Sequence, residues 1–290
     1  MIKSNSLKNY KLLDAGDKEK LEQWNDIILA RPDPMAIWPK SKLELWSSAD
    51  AIYERSNKGG GRWHYKKGLP DYWTINYKNN IVFKISPTNF KHTGLFPEQA
   101  ANWDFIYDKI NQSNIKDIRI LNLFAYSGAA TMVASAAGAK EVVHVDASKG
   151  MISWAKENQK LSHLDNNLIR YLQDDCLKFL RREKRRNRTY HGIIMDPPSY
   201  GRGPDNEIFK FEEQINPLID ACLDILDKDN LFFIINTYTT GYSPEVMHNV
   251  LSLNLNKHNL KGNIITDEIG IQIDNSELVL PCGQTSRYFK

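Results

Sequence analysis

The chain has 290 residues, 41% of them hydrophobic and 25% charged, with a formal net charge of +3. That length suits one large domain plus a small one, and so slight a charge excess leaves any acidic partner to local clusters of basic residues. The three cysteines, Cys176, Cys222 and Cys282, are far apart and no histidine pair stands at metal-ligand spacing, which argues against a disulfide framework or a zinc site and fits a reducing cytoplasm.

The lysine-rich start has no apolar stretch of signal-peptide length, and the longest apolar run, 231–235, is too short to cross a membrane. A soluble, cytoplasmic protein is expected. Residues 1–90 scatter Trp24, Trp38, Trp46, Trp63 and Trp73 among stretches that alternate as strands do, at 36–53 and 71–85. They predict a helix followed by a small β-rich unit, with the three glycines of SNKGGGRWHYKKG (56–68) marking a turn.

After residue 90 the period changes. A helix is predicted over 97–110 with Pro97 in its first turn. Strands at 119–124, 141–145, 168–172, 192–195 and 231–236 then alternate with helices at 128–137, 149–161, 175–182, 209–226 and 244–253, and two last strands fall near 263–272 and 284–289. Such alternation implies crossovers and an α/β fold with a mostly parallel, Rossmann-like sheet of seven strands, which binds ligands at the carboxyl ends of its strands. The division expected is a small domain, 1–90, that helps recognise a substrate, and a catalytic domain, 91–290.

The first of these strands runs into LNLFAYSGAAT (121–131). Gly128 lets the backbone approach a ligand where the chain turns into a helix. The G-x-G-x-x-G of a dinucleotide loop is absent, so a nicotinamide oxidoreductase is disfavoured. A single-glycine turn suits S-adenosylmethionine, which has no phosphate. The candidate cofactor residues here are Phe124, Tyr126, Ser127 and Gly128. The second strand ends at Asp146, followed by Ala147, about twenty residues beyond Gly128, the spacing of a ribose-binding acid. The third leads into QDDC, where Asp175 could accept from an adenine amino group and the Cys176 amide could donate to the ring. Taken alone, Asp146 is an ordinary strand-end acid and Asp175 a helix N-cap. Their order at successive strand ends favours the cofactor reading.

The fourth strand gives HGIIMDPPSYGRGP (191–204). Asp196-Pro197-Pro198 resembles the D-P-P signature of class I methyltransferases that act on nucleobases or planar amides. The Asp196 carboxylate and the Pro197 carbonyl can accept hydrogen bonds from an attacking amine, the prolines stiffen the turn, and Tyr200 can stack on a base. These three are the candidate catalytic residues, and Asp196 also borders the cofactor.

Together HTGLFPEQAANWDF (92–105), LNLFAYSGAAT, VVHVDAS, DDCLKFL and IIMDPPSYGRG resemble the bacterial methyltransferases related to the large-subunit rRNA cytosine-C5 and guanine enzymes, over roughly residues 90–290. The resemblance implies a Rossmann-like methyltransferase sheet, S-adenosylmethionine as cofactor, and Thr93, Phe96 and Gln99 packing over that cofactor. Two departures stand out. The first ninety residues lack the family's RNA-binding barrel. Family members that methylate cytosine C5 use a cysteine after the fifth strand, whereas FFIINTYTTGYS (232–243) has none, so covalent C5 chemistry is not expected. Direct displacement by a nitrogen or oxygen remains. Ser199 separates the prolines from Tyr200, unlike the usual N-methylation pattern, and leaves the acceptor atom open.

RREKRRNR (181–188) carries six basic side chains and one acid, and 55–67 adds basic and aromatic residues. Both suit RNA, although charge runs are usually solvated faces. The main expectation is therefore an RNA base methyltransferase acting in rRNA processing. The alternatives are a small-molecule or protein methyltransferase and a silent cofactor- or RNA-binding module.

Overall fold

The structure, a computed structural model, describes every residue except 5, 57–59, 79, 89 and 240. The chain forms two spatial units: Met1–Ala101 with Ile269–Cys282, and Asn102–Glu268 with Gly283–Lys290. Relative to a division at residue 90, residues 91–101 and Ile269–Cys282 group with the first unit.

In the first unit, β1 (Tyr10–Gly16), β2 (Glu19–Trp24), β3 (Ile27–Pro32), α1 (Leu43–Trp46), β4 (Ala51–Arg55) and β5 (Gly61–Tyr65) come in order. The five strands form one sheet in chain order, antiparallel except for the parallel β3–β4 pair. A separate hairpin joins β6 (Trp73–Tyr77) and β7 (Ile81–Ile85). Among the described residues no helix stands ahead of the β-rich unit as expected: three strands lead, and α1 is a single turn behind them. Two features hid those strands. The β1–β2 turn uses Asp17 and Lys18, both left-handed at φ 51° and 64°, where asparagine and glycine are the usual signal. Strand β2 also carries Glu22 at a fully buried position.

Glu22 pairs with Arg31 at 2.6 Å and accepts from the Tyr10 hydroxyl at 2.8 Å, with the Lys20 ammonium at 3.7 Å. Burial pushes its carboxyl up, but Arg31, Lys20 and the hydrogen bonds outweigh that and bring it from 4.5 down to about 2. A carboxyl depressed on folding adds stability above its unfolded value, and that stability is lost as pH falls through the folded one. The protein is thus expected to lose stability from about pH 4.5 towards pH 2, with Glu22→Gln removing part of that slope in urea midpoints measured against pH.

Of the stretch 55–67, Trp63 and Tyr65 lie on a strand, β5, rather than a loop, Tyr65 exposed and Trp63 half-buried. Residues 57–59 lie outside the described residues. Trp63 packs against Tyr53 at 5.4 Å and donates its indole N–H to the Thr88 carbonyl at 2.9 Å.

A 3₁₀ turn, Pro97–Gln99, leads into α2 (Ala100–Asn111). The second unit then continues through β8 (Arg119–Leu123), α3 (Ala129–Ala136), β9 (Glu141–Asp146), α4 (Lys149–Leu161), β10 (Leu168–Gln173), α5 (Cys176–Arg185) and β11 (Gly192–Met195). After these come β12 (Tyr200–Arg202), β13 (Ile208–Lys210), α6 (Phe211–Leu223), β14 (Phe232–Thr237), α7 (Pro244–Lys257), β15 (Asn263–Gln272) and β16 (Val279–Phe289). The last strand thus begins at Val279, ahead of the 284 read from sequence, and takes in Cys282. Seven strands form one sheet in the order β10-β9-β8-β11-β14-β16-β15. From β10 to β14 all neighbours are parallel, and β16 runs antiparallel to β14. Strands β8, β9, β11 and β14 are buried almost throughout because helices cover the sheet. Phe179, Leu180, Leu218, Ile219, Met247 and Leu251 from α5, α6 and α7 pack on Leu121, Val143, Ile193 and Phe233.

Strand order reverses between β8 and β11, which makes a crevice at their carboxyl ends. Among the described residues no helix is long and apolar enough to cross a membrane, and no group of three or more His, Cys, Asp and Glu could hold a metal ion.

Candidate active site

Register places the strand ends side by side. Leu123 of β8 is paired with Met195 of β11 on one side and Val145 of β9 on the other. The next residues along these three strands are Phe124, Asp196 and Asp146. Asp146 and Asp196 therefore stand two inter-strand spacings apart, roughly 10 Å, on either side of the loop that follows β8.

That loop is built from left-handed residues: Phe124 at φ 52°, Tyr126 at 51° and Gly128 at 82°. Side chains other than glycine rarely adopt this region, so external bonds must hold it. The Tyr126 amide donates to Asp146 Oδ2 at 2.8 Å. The Asn158 side chain on α4 donates to the Ser127 carbonyl at 2.8 Å. Gly128 is required twice over, because of its φ and because a Cβ there would lie 2.8 Å from the Ala155 Cβ. Gly128→Ala is expected to destabilise the protein by about 2–4 kcal/mol from left-handed strain plus overpacking, read in denaturant unfolding.

Asp146 also accepts from the Ser148 amide at 2.8 Å. Burial raises its carboxyl, opposed by the Ser148 and Tyr126 hydrogen bonds. An ionised carboxylate offers about four acceptor positions, so two amides leave room for a pair of ribose hydroxyls. The donor set thus fits the ribose of S-adenosylmethionine. Ala147 follows, its carbonyl accepting from Gln173 at 3.2 Å. Beneath the loop, Thr131 bridges Asn122 and His144 at 3.0 Å each. Burial lowers His144 to about 3, which keeps it neutral and structural.

Asp175 caps α5, accepting from the Lys178 amide at 2.8 Å. Only part of its acceptor capacity is used by the cap, so the cap and an adenine contact are compatible. Cys176 is buried, its thiol accepts from the Phe124 amide, and burial raises the thiol well above its ordinary value. Asp196 is half-buried, Pro197 buried and Tyr200 exposed. The Ser199 hydroxyl meets that of Thr239 at 2.8 Å, joining the Asp196 loop to the segment after β14. Thr93, Phe96 and Gln99 belong to the first unit. There the Thr93 hydroxyl is buried without a hydrogen-bond partner among the described residues, Phe96 lies 5.6 Å from His92, and Gln99 is buried in the 3₁₀ turn.

Two features escaped the sequence reading. The segment expected to open a helix at 209 first forms an antiparallel hairpin, β12–β13, and α6 starts at Phe211. Gly-Pro-Asp-Asn at 203–206 between Tyr-Gly-Arg and Ile-Phe-Lys was its turn signal. Phe209 of that hairpin packs edge-on against Phe124 at 5.3 Å. The second feature is a buried polar chain at the end of β14: Asn102 donates to Asn236 at 2.8 Å and accepts from Arg287 at 2.7 Å.

The basic run 181–188 is largely drawn into ion pairs within the fold, one of them, Arg182 with Asp174, next to Asp175. It occupies the far end of α5, which runs back from the carboxyl edge of the sheet, and Arg188 pairs with Glu141, the first residue of β9. Most of its charge is matched within the fold. Arg182 pairs with Asp174, Lys184 with Asp224 at 2.6 Å and Arg186 with Glu183 at 3.0 Å.

A single-glycine loop, a strand-end acid beside it and an Asp-Pro-Pro turn across the switch point have the arrangement expected of a nucleotide-cofactor methyltransferase site. The chain belongs to the S-adenosylmethionine-dependent methyltransferase family, which matches residues 57–215. A methyltransferase of this kind from Agrobacterium tumefaciens, solved by crystallography, is 33% identical with a TM-score of 0.93, over 99% of this chain and 92% of that one. The ribosomal RNA large subunit methyltransferase K/L of Shewanella frigidimarina is 30% identical over 176 residues, 61% of this chain but 23% of the relative. That of Pseudoalteromonas translucida is 37% identical over 118 residues, 41% of this chain and 16% of the relative. The chain thus matches less than a quarter of the length of either curated relative. It is an S-adenosylmethionine-dependent methyltransferase.

Proposed function

We propose that the enzyme methylates a base of an RNA, rRNA-like in structure, by direct transfer without a cysteine nucleophile, in the cytoplasm. The observation that carries this is the Asp196-Pro197-Pro198 turn at the switch point, with exposed Tyr200 next to it. The ribosomal RNA relatives supply the substrate class.

S-adenosylmethionine supplies an electrophilic methyl group on a sulfonium. Asp146 accepts from the ribose hydroxyls, and Phe124 to Gly128 shape the floor. Asp175 and the Cys176 amide address the adenine, and Thr93, Phe96 and Gln99 cover the cofactor. Asp196 and the Pro197 carbonyl accept hydrogen bonds from the attacking amine, orienting its lone pair along the transfer line. Asp196 then takes the proton that nitrogen must lose. Tyr200 stacks on the acceptor. Residues 1–90 contribute to substrate recognition.

The cysteines support a non-covalent route. Cys222 is fully buried in α6 and Cys176 sits under the loop, both thiols raised by burial. A thiol raised in this way supplies little thiolate. Alanine at positions 176, 222 and 282, introduced singly, is expected to leave methyl transfer within about threefold, whereas loss of a nucleophile removes several orders of magnitude. A folded single variant without activity would restore the C5 route.

The paired, remote basic run favours a second reading, a small-molecule or protein acceptor. Methyl transfer from labelled S-adenosylmethionine to total RNA lacking this modification, followed by nucleoside analysis, separates the two. A labelled N-methyl nucleoside supports the RNA reading. Labelled 5-methylcytidine overturns direct transfer, and unlabelled RNA with bound cofactor overturns the substrate class.

A further inference from the structure

We propose that the outer face of the β12–β13 hairpin holds the nucleotide next to the methylated base, with Ile208 packing on its base and Arg202 pairing with its phosphate. The inference rests on the RNA reading above and deepens it.

The hairpin has two unlike faces. Tyr200 pairs with Lys210, Gly201 with Phe209 and Arg202 with Ile208. Residues directly opposite, and those two apart on one strand, share a face. Tyr200, Arg202, Ile208 and Lys210 therefore lie on one side, with Gly201 and Phe209 on the other. Exposure follows that division: the first four are exposed and the other two are not. The inner face is anchored by Phe209 on Phe124, in the loop beside Asp146.

The tip is anchored as well. Glu207 accepts from the Asp205 amide at 2.9 Å, and Lys178 on α5 pairs with Glu207 and, at 3.5 Å, with Asp205. Lys178 follows closely on Asp175, so the hairpin is tied to the strand ends on both sides. It is a fixed structure standing directly after the Asp-Pro-Pro turn.

On the outer face, large apolar surface is left to solvent: Tyr200 is 56% exposed and Ile208 49%. The charges beside it differ in their engagement. Lys210 is held by Glu213 at 2.8 Å. The acids at the tip are turned to Lys178. Arg202 has no ion-pair partner among the described residues. A ring, an aliphatic side chain and an unpaired guanidinium about 7 Å along the strand from that ring match a stacked base followed by a phosphate. Single-stranded nucleic acid is held by this combination of stacking and cationic contact. An acidic peptide would use the guanidinium but leave the paired apolar surface without a planar partner.

The test uses the full chain, with Arg202→Ala and Ile208→Ser, both at exposed positions. The probes are a fluorescein-labelled twelve-nucleotide oligoadenylate for binding and total RNA for methyl transfer. Each variant is expected to bind the oligomer about tenfold more weakly, within the range of single stacking or phosphate contacts. Arg202→Ala should also flatten the dependence of log affinity on log salt by about 0.7. The KM for RNA should rise while kcat and S-adenosylmethionine affinity hold, which a general loss of structure would not give. Wild-type KM and salt dependence in both variants, with RNA methylated normally, overturn the hairpin and leave the RNA reading standing. If the wild-type chain neither binds the oligomer nor labels RNA, both fall. A raised KM for a protein acceptor in place of RNA overturns the nucleic-acid assignment of this face.

Discussion

Asp196→Ala is expected to lower kcat for methyl transfer by about 10²–10⁴-fold, the range lost with a positioned proton acceptor, and to weaken S-adenosylmethionine binding far less. Asp196 directly follows β11, whose four residues are all buried, and Pro197 after it has its φ fixed by the ring. The carboxylate is thereby held on rigid backbone at the switch point. There it can align an amine against the methyl group and accept its proton, both of which matter only as the transition state forms. An interaction made only in the transition state lowers kcat and kcat/KM together when removed. Single-turnover transfer and calorimetric cofactor binding measure the two effects separately. Asp196→Asn should recover part of the orientation but not the proton acceptance, leaving a rate between alanine and wild type. Wild-type kcat in Asp196→Ala removes the residue from the chemistry.

The parallel sheet was legible because its central strands are buried and carry short apolar cores, as in Gly192–Met195 and Phe232–Thr237, between helical segments. β11 and β15 have the limits read from sequence, as does α4, where Ser148 caps the first turn by accepting from the Met151 amide. The order of loop, strand-end acid and Asp-Pro-Pro turn was legible for the same reason, since each follows an apolar strand. The first unit was harder. Glu22 in β2 and Arg31 in β3 make buried positions look polar, and only their pairing, at 2.6 Å across the sheet, explains them. No periodicity encodes such a pair.

The hairpin and the pairing of the basic run were hidden for different physical reasons. β12 and β13 have three residues each, too short to register a period, and Phe209 reads equally well as the first apolar residue of α6. The run 181–188 was legible as charge, while its pairing was not. Its partners Glu141 and Asp224 are distant in sequence, and a helix leaving the carboxyl edge of a strand carries its last turn to the opposite edge. Close after the Asp-Pro-Pro turn stands Arg202, a cation without an ion-pair partner among the described residues, which no count of basic residues singles out.

Asp146→Ala is expected to weaken S-adenosylmethionine binding by about 10²–10³-fold, the loss of two hydrogen bonds to a charged acceptor at roughly 1.5–3 kcal/mol each, less partial compensation by water. The Tyr126 and Ser148 amides that Asp146 now accepts from would also lose their partner, loosening a loop already held in left-handed conformations. Asp146→Asn separates these roles. An amide oxygen can still accept from one backbone N–H, so the loop keeps more of its shape while the charge is gone. The pH dependence carries the sign. Burial raises the Asp146 carboxyl in the free enzyme, and in the proposed site ribose hydroxyls would donate to the ionised form. Cofactor affinity is therefore flat above that raised value and falls as pH drops through it, with proton uptake by the free enzyme competing against binding. Asp146→Asn should bind more weakly at neutral pH and lose that acid-side fall. Calorimetric titrations across pH 4 to 8 on wild type and Asp146→Asn measure both quantities. Equal affinities at neutral pH would move the ribose away from Asp146, and an unchanged acid limb in the variant would assign the titration to another group.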